Sequence, residues 1–230
     1  YLMGMGKRRL LFAGTALLLI SSLLLFLFLR SRSRPLLLLS LGDSLTSSSY
    51  GSYIPSLGRT LDKAEIPHRI VDGGRPGHTS GEYLNFLRSS PSLFTPSPDI
   101  VLLMLGTNDV RSDGDKTDRE SFRRHMNGII DLVLAQGSPD SPPRIFLLIP
   151  PPLLRLDLPT FNGDSPRRLR EEIVPELKNL AMTRHLEIVD LRSLFSEHPR
   201  LLPGVHPSSE GYRAMGLLIG RSLVKAISPP

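Results

Sequence analysis

The chain has 230 residues, 40% of them apolar, so it is long enough for one domain with a sizeable core and short for two. Its net charge of +6 lies before Pro35, where six of the 28 basic residues and no acidic residue fall, so the rest of the chain is formally neutral and no nucleic-acid partner is expected. The absence of cysteine excludes disulfides, thiolate nucleophiles and cysteine-bound zinc.

The first predicted element is a membrane span at Leu10 to Leu29, a run of 20 residues without a charge. At about 1.5 Å per residue such a helix crosses a hydrocarbon core of about 30 Å. A cleavable signal peptide is the alternative, but the run is longer than a typical signal core, and LFLRSRSR offers no small-residue cleavage site. We therefore expect an uncleaved, single-pass signal anchor with its basic linker in residues 1–34 and the folded domain in residues 35–230. We expect this domain outside the cytoplasm, although three basic residues on each flank do not set the orientation.

After the linker, short apolar runs alternate with longer amphipathic ones, which is typical of strands joined by crossover helices. Several of the short runs are continuously apolar, which predicts strands covered on both faces and therefore a parallel sheet. We expect a three-layer α/β/α domain with about five parallel strands and a flavodoxin-like arrangement. The predicted strands are Leu36 to Leu41, His68 to Val71, Ile100 to Leu105, Ile145 to Ile149 and Glu187 to Val189. The predicted helices are Tyr53 to Ala64, Ser80 to Arg88, Arg119 to Ala135, Pro166 to His185 and Ser209 to Ala226.

Two connections are rich in proline, glycine and polar residues and are expected to be exposed loops. They read GSPDSPPR and PPPLLRLDLPTFNGDSPRR. The second is long enough to lie over a site.

Polar residues and glycines follow three of the predicted strands, where ligands bind in open parallel sheets. GDS follows the first strand with Ser44, GGRPG follows the second with Gly77, and GTND follows the third with Asn108. GVHP, with His206, comes near the end of the sequence. Taken singly, each motif fits a turn or a helix cap.

Together these residue types suit acyl transfer. A serine hydroxyl needs an adjacent base to take its proton, and histidine is the usual one. The oxyanion that follows needs preorganised donors, which a glycine amide and an asparagine side chain can provide. No GxSxG motif is present, which argues against the α/β-hydrolase fold.

The four motifs, in this order, resemble the SGNH or GDSL hydrolase family from about Pro35 to Ala226. The resemblance implies an ester hydrolase in which Ser44 is the nucleophile and His206 is the base. It also implies an oxyanion hole formed by the Ser44 amide, Gly77 and Asn108. Its substrate would be a small-molecule ester, and acetyl groups on carbohydrates are the first expectation. A lipid esterase, lysophospholipase or thioesterase would use the same residues.

One family feature is missing, because Pro203 occupies the position three residues before His206 where the family carries an aspartate. That aspartate fixes the tautomer that leaves Nε2 for the serine, and its loss in a serine hydrolase costs about 10⁴ in rate. Three alternatives stay open. A backbone carbonyl holds the imidazole, which we favour; Asp190 or Glu197 supplies the acid; or the chain is a weak hydrolase or a non-catalytic binding protein.

No cofactor or metal is expected. The loop SDGDKTD lacks the spacing of a calcium-binding EF-hand, and the histidines show no paired spacing of metal ligands on a helix.

Overall fold

The computed structural model describes residues 34–113, 117–137 and 141–227. All five predicted strands are present, and each begins within one residue of its predicted start. The strands are β1 Leu36–Gly42, β2 His68–Gly74, β3 Ile100–Met104, β4 Arg144–Ile149 and β5 Glu187–Asp190. Every residue of β3 is buried, as expected for a strand covered on both faces.

The strands form one parallel sheet in the order β2-β1-β3-β4-β5. This order is that of flavodoxin-like folds, in which the sheet grows outward in both directions from β1. Gly42 at the end of β1 pairs with Gly74 on one side and Met104 on the other. The loops that follow β1, β2 and β3 therefore leave the sheet side by side.

The helices cover both faces of the sheet and complete the three predicted layers. They are α1 Ile54–Lys63, α2 Ser80–Ser89, α3 Arg119–Leu134, α4 Ser165–Arg168, α5 Val174–Thr183, α6 Arg192–Glu197 and α7 Ser209–Ile227. Alternate strand residues point to opposite sides, so Leu38 packs in one core and Leu39 in the other. Helices α2, α3 and α5 bury their apolar faces in the core that contains Leu39, whereas α1, α6 and α7 cover the core that contains Leu38.

The helix predicted from Pro166 to His185 is divided in the structure. A π-helical turn at Leu169–Ile173 separates α4 from α5. Pro175 lies in the first turn of α5, and a proline inside a continuous α-helix would lose a hydrogen bond and press its ring on the preceding turn. Widening the preceding turn accommodates Pro175 while the chain stays helical. The short helix α6 was not predicted, because six residues are too few to show a period.

The predicted span Leu10 to Leu29 lies outside the described residues, as does nearly all of the predicted anchor and linker. Within the described ranges, no helix has both the length and the apolar character needed to cross a bilayer. The membrane anchor and the domain boundary at residue 34 stay predictions.

Candidate active site

Ser44 lies just beyond the carboxyl end of β1, on a turn that its own neighbours stabilise. The Leu45 amide donates to Asp43 Oδ1 over 2.9 Å, and the Ser47 amide donates to the Asp43 carbonyl over 3.0 Å. These bonds close a tight turn of the kind that aspartate favours. The turn places Ser44 at the sheet edge with 8% of its surface exposed.

His206 meets Ser44 although 162 residues separate the two in sequence. Its Nε2 atom lies 2.9 Å from Ser44 Oγ, which is hydrogen-bond distance. Burial lowers the pKa of His206, and the charge of Asp157 opposes part of that change. Because a lowered pKa favours the neutral imidazole at neutral pH, His206 is in the form that can accept a proton.

Tyr50 stacks on the imidazole of His206. The two ring centroids are 4.4 Å apart and the ring planes differ by 4°. Tyr50 itself is 56% exposed, so its ring shields one face of His206 while remaining accessible to solvent. This contact could not be predicted from the sequence, because nothing in SSSYGSY indicates that the loop turns toward a histidine far along the chain.

Gly77 and Asn108 line the same cavity as Ser44 and His206, and the volume of this cavity is about 180 Å³. In the described part of the chain, the backbone N–H groups of Ser44 and Gly77 donate to no acceptor, so both can donate to a substrate oxygen. Gly77 has φ +79°, a conformation that a side chain would strain. The cavity is therefore lined by three groups that can donate to an oxyanion: two backbone amides and one side-chain amide.

Asn108 is held by two contacts. Its Nδ2 atom donates to the His78 carbonyl over 3.1 Å and to Asp43 Oδ2 over 3.4 Å. The second bond is long and therefore weak, so the hydrogen directed at Asp43 is the one that a substrate oxygen can share at least cost. Asp43 is 1% exposed, and its burial, with a smaller contribution from the charge of Asp109, raises its pKa to about 7. The asparagine is thus oriented by a carboxyl group that titrates near neutral pH.

Asp109 fixes the loop that carries Asn108. This side chain is fully buried and accepts hydrogen bonds from the backbone amide of Ser80, at 3.1 Å, and from Ser80 Oγ, at 2.5 Å. Ser80 is the first residue of α2, so the carboxylate also lies at the positive end of that helix. Ser80 Oγ lies 3.1 Å from His125 Nδ1 on α3, which ties the loop to a second helix.

The long loop after β4 lies over the site, as its length predicted. Leu158, Thr160 and Phe161 form part of the cavity wall. Arg111 closes another part, and its Nη1 atom donates to the Gly77 carbonyl over 3.2 Å. Arg111 also pairs with Asp113, so its charge is already neutralised.

The two acids considered for His206 are elsewhere. Asp190 ends β5, where it lies 3.2 Å from Lys178 Nζ and accepts the Arg192 amide at the start of α6. Glu197 is exposed at the end of α6. Neither bonds to His206 or contributes to its electrostatics. The favoured carbonyl is absent as well, because no acceptor in the described ranges bonds to His206 Nδ1.

Asp157 is an acidic residue that no sequence motif indicated and whose charge acts on His206. It belongs to the loop after β4, and its Oδ1 atom accepts the Val205 amide over 2.8 Å. The contact joins residues 48 apart in sequence. The one available signal was Gly204, which directly precedes Val205, since a glycine beside a functional residue often allows a close approach.

A second cavity, also formed by described residues, does not offer this chemistry. It is larger, about 260 Å³, and is lined by Arg119, Glu120, Arg123 and Glu176, but it contains no nucleophile. Among the residues that the structure describes, no group of three or more histidines and acids could hold a metal ion.

Comparisons with known proteins show to which family this chain is similar. Residues 40–214 match the model of the GDSL-like lipase/acylhydrolase family. A multidomain esterase of Ruminococcus flavefaciens is 30% identical over 147 residues, which cover 64% of this chain and 18% of that protein. An acetylxylan esterase of Xylanibacter ruminicola is 26% identical over 142 residues, which cover 55% of this chain and 28% of that protein. The chain thus spans less than a third of the length of these two relatives.

The fold also matches solved structures. The carbohydrate acetylesterase Est24 of Sinorhizobium meliloti superposes with a TM-score of 0.66 at 21% identity, covering 84% of this chain and 100% of that one. At this identity the likeness concerns the fold alone.

Proposed function

The chain belongs to the GDSL-like lipase/acylhydrolase family, and from this premise we propose that it is an ester hydrolase in which Ser44 attacks the ester with His206 as its base. The observation that carries the proposal is the 2.9 Å contact between His206 Nε2 and Ser44 Oγ. A serine hydroxyl is a poor nucleophile at neutral pH until a base can take its proton.

The reaction proceeds in two halves. Ser44 Oγ bonds to the carbonyl carbon while its proton passes to His206 Nε2, and the carbonyl oxygen becomes an oxyanion. When the tetrahedral intermediate collapses, the bond to the alcohol breaks and His206 returns the proton to the leaving alcohol oxygen. Water then attacks the acyl-serine with the same assistance and releases the acid and Ser44.

Three donors stabilise the oxyanion in this proposal. They are the Ser44 and Gly77 amides and Asn108 Nδ2, all at the same cavity. The first two lack acceptors in the described part of the chain, so they can donate to the substrate without breaking an existing hydrogen bond. Donors fixed before the reaction are effective because they need no reorganisation as charge develops.

We propose acetyl groups on carbohydrates as the substrate class. A cavity of about 180 Å³ is small beside the usual ligand pocket of roughly 300 to 1,000 Å³, which favours a short acyl group. The acetylxylan esterase of Xylanibacter ruminicola is among the relatives of the chain. A lipid esterase, lysophospholipase or thioesterase would need room for a longer acyl chain.

A series of esters tests the substrate class. Hydrolysis of p-nitrophenyl acetate, butyrate and octanoate is compared with release of acetate from acetylated xylo-oligosaccharides. We expect kcat/KM to fall with each lengthening of the acyl chain and acetate to be released from the sugar. A preference for octanoate would assign the chain to lipid or thioester substrates instead.

We propose further that Leu10 to Leu29 anchors the protein in a membrane, with the hydrolase domain outside the cytoplasm. The support is the run of 20 uncharged residues between basic flanks. The test is extraction of membranes with alkaline carbonate, from which an anchored chain is retained, followed by protease treatment of intact cells. Release of the protein into the carbonate supernatant would contradict the proposed membrane anchor.

A further inference from the structure

The imidazole of His206 lacks the support that its family relatives have. Pro203, at the position of the family aspartate, has no carboxylate, and Nδ1 has no acceptor in the described ranges. The ring nevertheless points Nε2 at Ser44 Oγ. Something other than a bond to Nδ1 must therefore orient the ring and stabilise the positive charge that it gains during the reaction.

Among the described residues, Asp157 is the charged side chain that raises the pKa of His206. Its negative charge favours the protonated imidazole, against the effect of burial. Asp157 reaches His206 from a different loop than the family aspartate does, because it follows β4 whereas Pro203 lies on the loop before α7. Its place in the sequence therefore does not depend on an aspartate three residues before His206.

The carboxylate of Asp157 is also fitted to the backbone beside His206. Oδ1 accepts the Val205 amide over 2.8 Å, and Val205 directly precedes the histidine. A Cβ atom on Gly204 would fall on the Asp157 carboxylate, so only glycine allows this approach. Two adjacent backbone positions thus depend on Asp157, which restricts the path of the chain into His206.

Tyr50 provides a second restraint on the orientation of the ring. Stacked rings with planes 4° apart resist tilting, and the bond to Ser44 sets the rotation within the plane. What the stack cannot supply is negative charge. The negative charge that the family aspartate provides beside the imidazolium must therefore come from another carboxylate.

We propose that Asp157 is a positioning residue that takes the place of the missing family aspartate, by holding the Gly204 to Val205 backbone and by stabilising the imidazolium of His206 across space. The inference rests on the proposed function, because it assumes that His206 accepts the proton of Ser44. Asp157 touches neither the substrate nor the reacting atoms, and it does not fix the tautomer. Its loss therefore costs less than the roughly 10⁴ of a directly bonded triad acid.

The test is Asp157→Asn, which keeps an oxygen for the Val205 amide and removes the charge. We expect kcat to fall about 10-fold with KM nearly unchanged, because the charge acts on the protonated state formed during the reaction. We also expect the acidic limb of the kcat/KM profile to move to lower pH, since the removed charge raises the pKa of His206. A role limited to loop structure would lower activity without moving this limb.

Asp190→Asn is the matched control. Asp190 also accepts a backbone amide, from Arg192 at 3.0 Å, but does not act on His206. Its variant should have the rate and the pH profile of the unchanged protein. If Asp190→Asn moves the acidic limb as far as Asp157→Asn does, or if Asp157→Asn leaves it in place, the inference is overturned.

Two further variants keep the result decisive. Gly204→Ala displaces the carboxylate without removing it, so it tests the same contact if Asp157→Asn fails to fold. A shift of the acidic limb of the kcat/KM profile to lower pH supports the inference, and an unmoved limb contradicts it. Ser44→Ala, assayed beside them, tests the proposed function itself. Activity that survives in Ser44→Ala refutes the nucleophile, whereas an inactive Ser44→Ala with an unmoved limb in Asp157→Asn refutes only the role of Asp157.

Discussion

The two sides of the proposed active site are built in different ways. The nucleophile and oxyanion side uses residues directly after parallel strands, and Asp43, Asn108 and Asp109 are each at most 7% exposed. The base side uses loops that meet beyond the strand ends, and its supports Tyr50 and Asp157 are both exposed. The fold itself places the first side, while contacts between loops place the second. Changes on the first side should therefore cost more than changes on the second.

Ser44→Ala should have the largest effect, because it removes the proposed nucleophile. We expect turnover of an acetyl ester to fall by about 10⁴- to 10⁶-fold with the fold intact. The measurements are steady-state hydrolysis, labelling by a fluorophosphonate probe and circular dichroism. Ser208→Ala, a serine on the loop that carries His206 but outside the cavity, is the control. Retained labelling of Ser44→Ala would place the nucleophile elsewhere.

Asn108→Ala comes next and tests the oxyanion donor. Loss of one such donor typically lowers kcat by about 10²- to 10³-fold. KM should change little, because the bond strengthens mainly in the transition state. Asn179→Ala on the exposed surface of α5 serves as the comparison and should be neutral. A rate within about twofold of the parent would take Asn108 out of the site.

Asp43 should set a pH dependence of stability. The pKa of Asp43 is raised from 3.8 to about 7, so the folded state binds this proton more tightly than the unfolded state does. The contribution of Asp43 to the free energy of unfolding is complete below about pH 4 and is lost as the pH rises through about 7. The difference in this free energy between the two limits is about 4 kcal/mol. Asp43→Asn should make the free energy of unfolding vary less over this interval.

The measurement for Asp43 is denaturant unfolding at several pH values between these limits. Asp62→Asn, which changes an aspartate with 72% of its side chain exposed, should leave the slope of the parent unaltered. The same slope in Asp43→Asn and the parent would show that Asp43 is ionised in the folded state throughout, contrary to the effect of its burial.

Tyr50→Ala should have the smallest effect of these variants, and it tests the base side of the site against the oxyanion side. An aromatic pair contributes about 0.5 to 1.5 kcal/mol, so kcat should fall by roughly 2- to 10-fold when the stack on His206 is lost. Tyr50→Phe keeps the ring and should retain the parent rate. If Tyr50→Phe has as low a kcat as Tyr50→Ala, the hydroxyl group of Tyr50 and not its stacked ring supports turnover. A loss beyond about 100-fold would make the base side as costly as the oxyanion side.

The sequence predicted the strands because continuous apolar runs such as IVLLM have few alternatives in a parallel sheet. It also predicted that the residues after the first three strands face one ligand site, because the ends of neighbouring parallel strands share one edge, and the family resemblance then implied Ser44, Gly77 and Asn108. Asp157 and Tyr50 could not be predicted in this way. Their contacts depend on how two loops approach each other, which no periodicity within either loop records. The divided helix at Leu169–Ile173 shows the same limit at shorter range, since Pro175 changes a helix that the apolar pattern alone predicts to be continuous.

The contact between Asp157 and Gly204 has a consequence for how this sequence can vary. No side chain fits at position 204 while the carboxylate lies against it, and the carboxylate has its amide partner only while the loop keeps this path. Positions 157 and 204 should therefore covary among descendants of this sequence, although 46 residues lie between them in the chain. In a lineage that regains an aspartate at position 203, neither Asp157 nor Gly204 is needed any longer. The glycine should therefore be lost after that change and not before it.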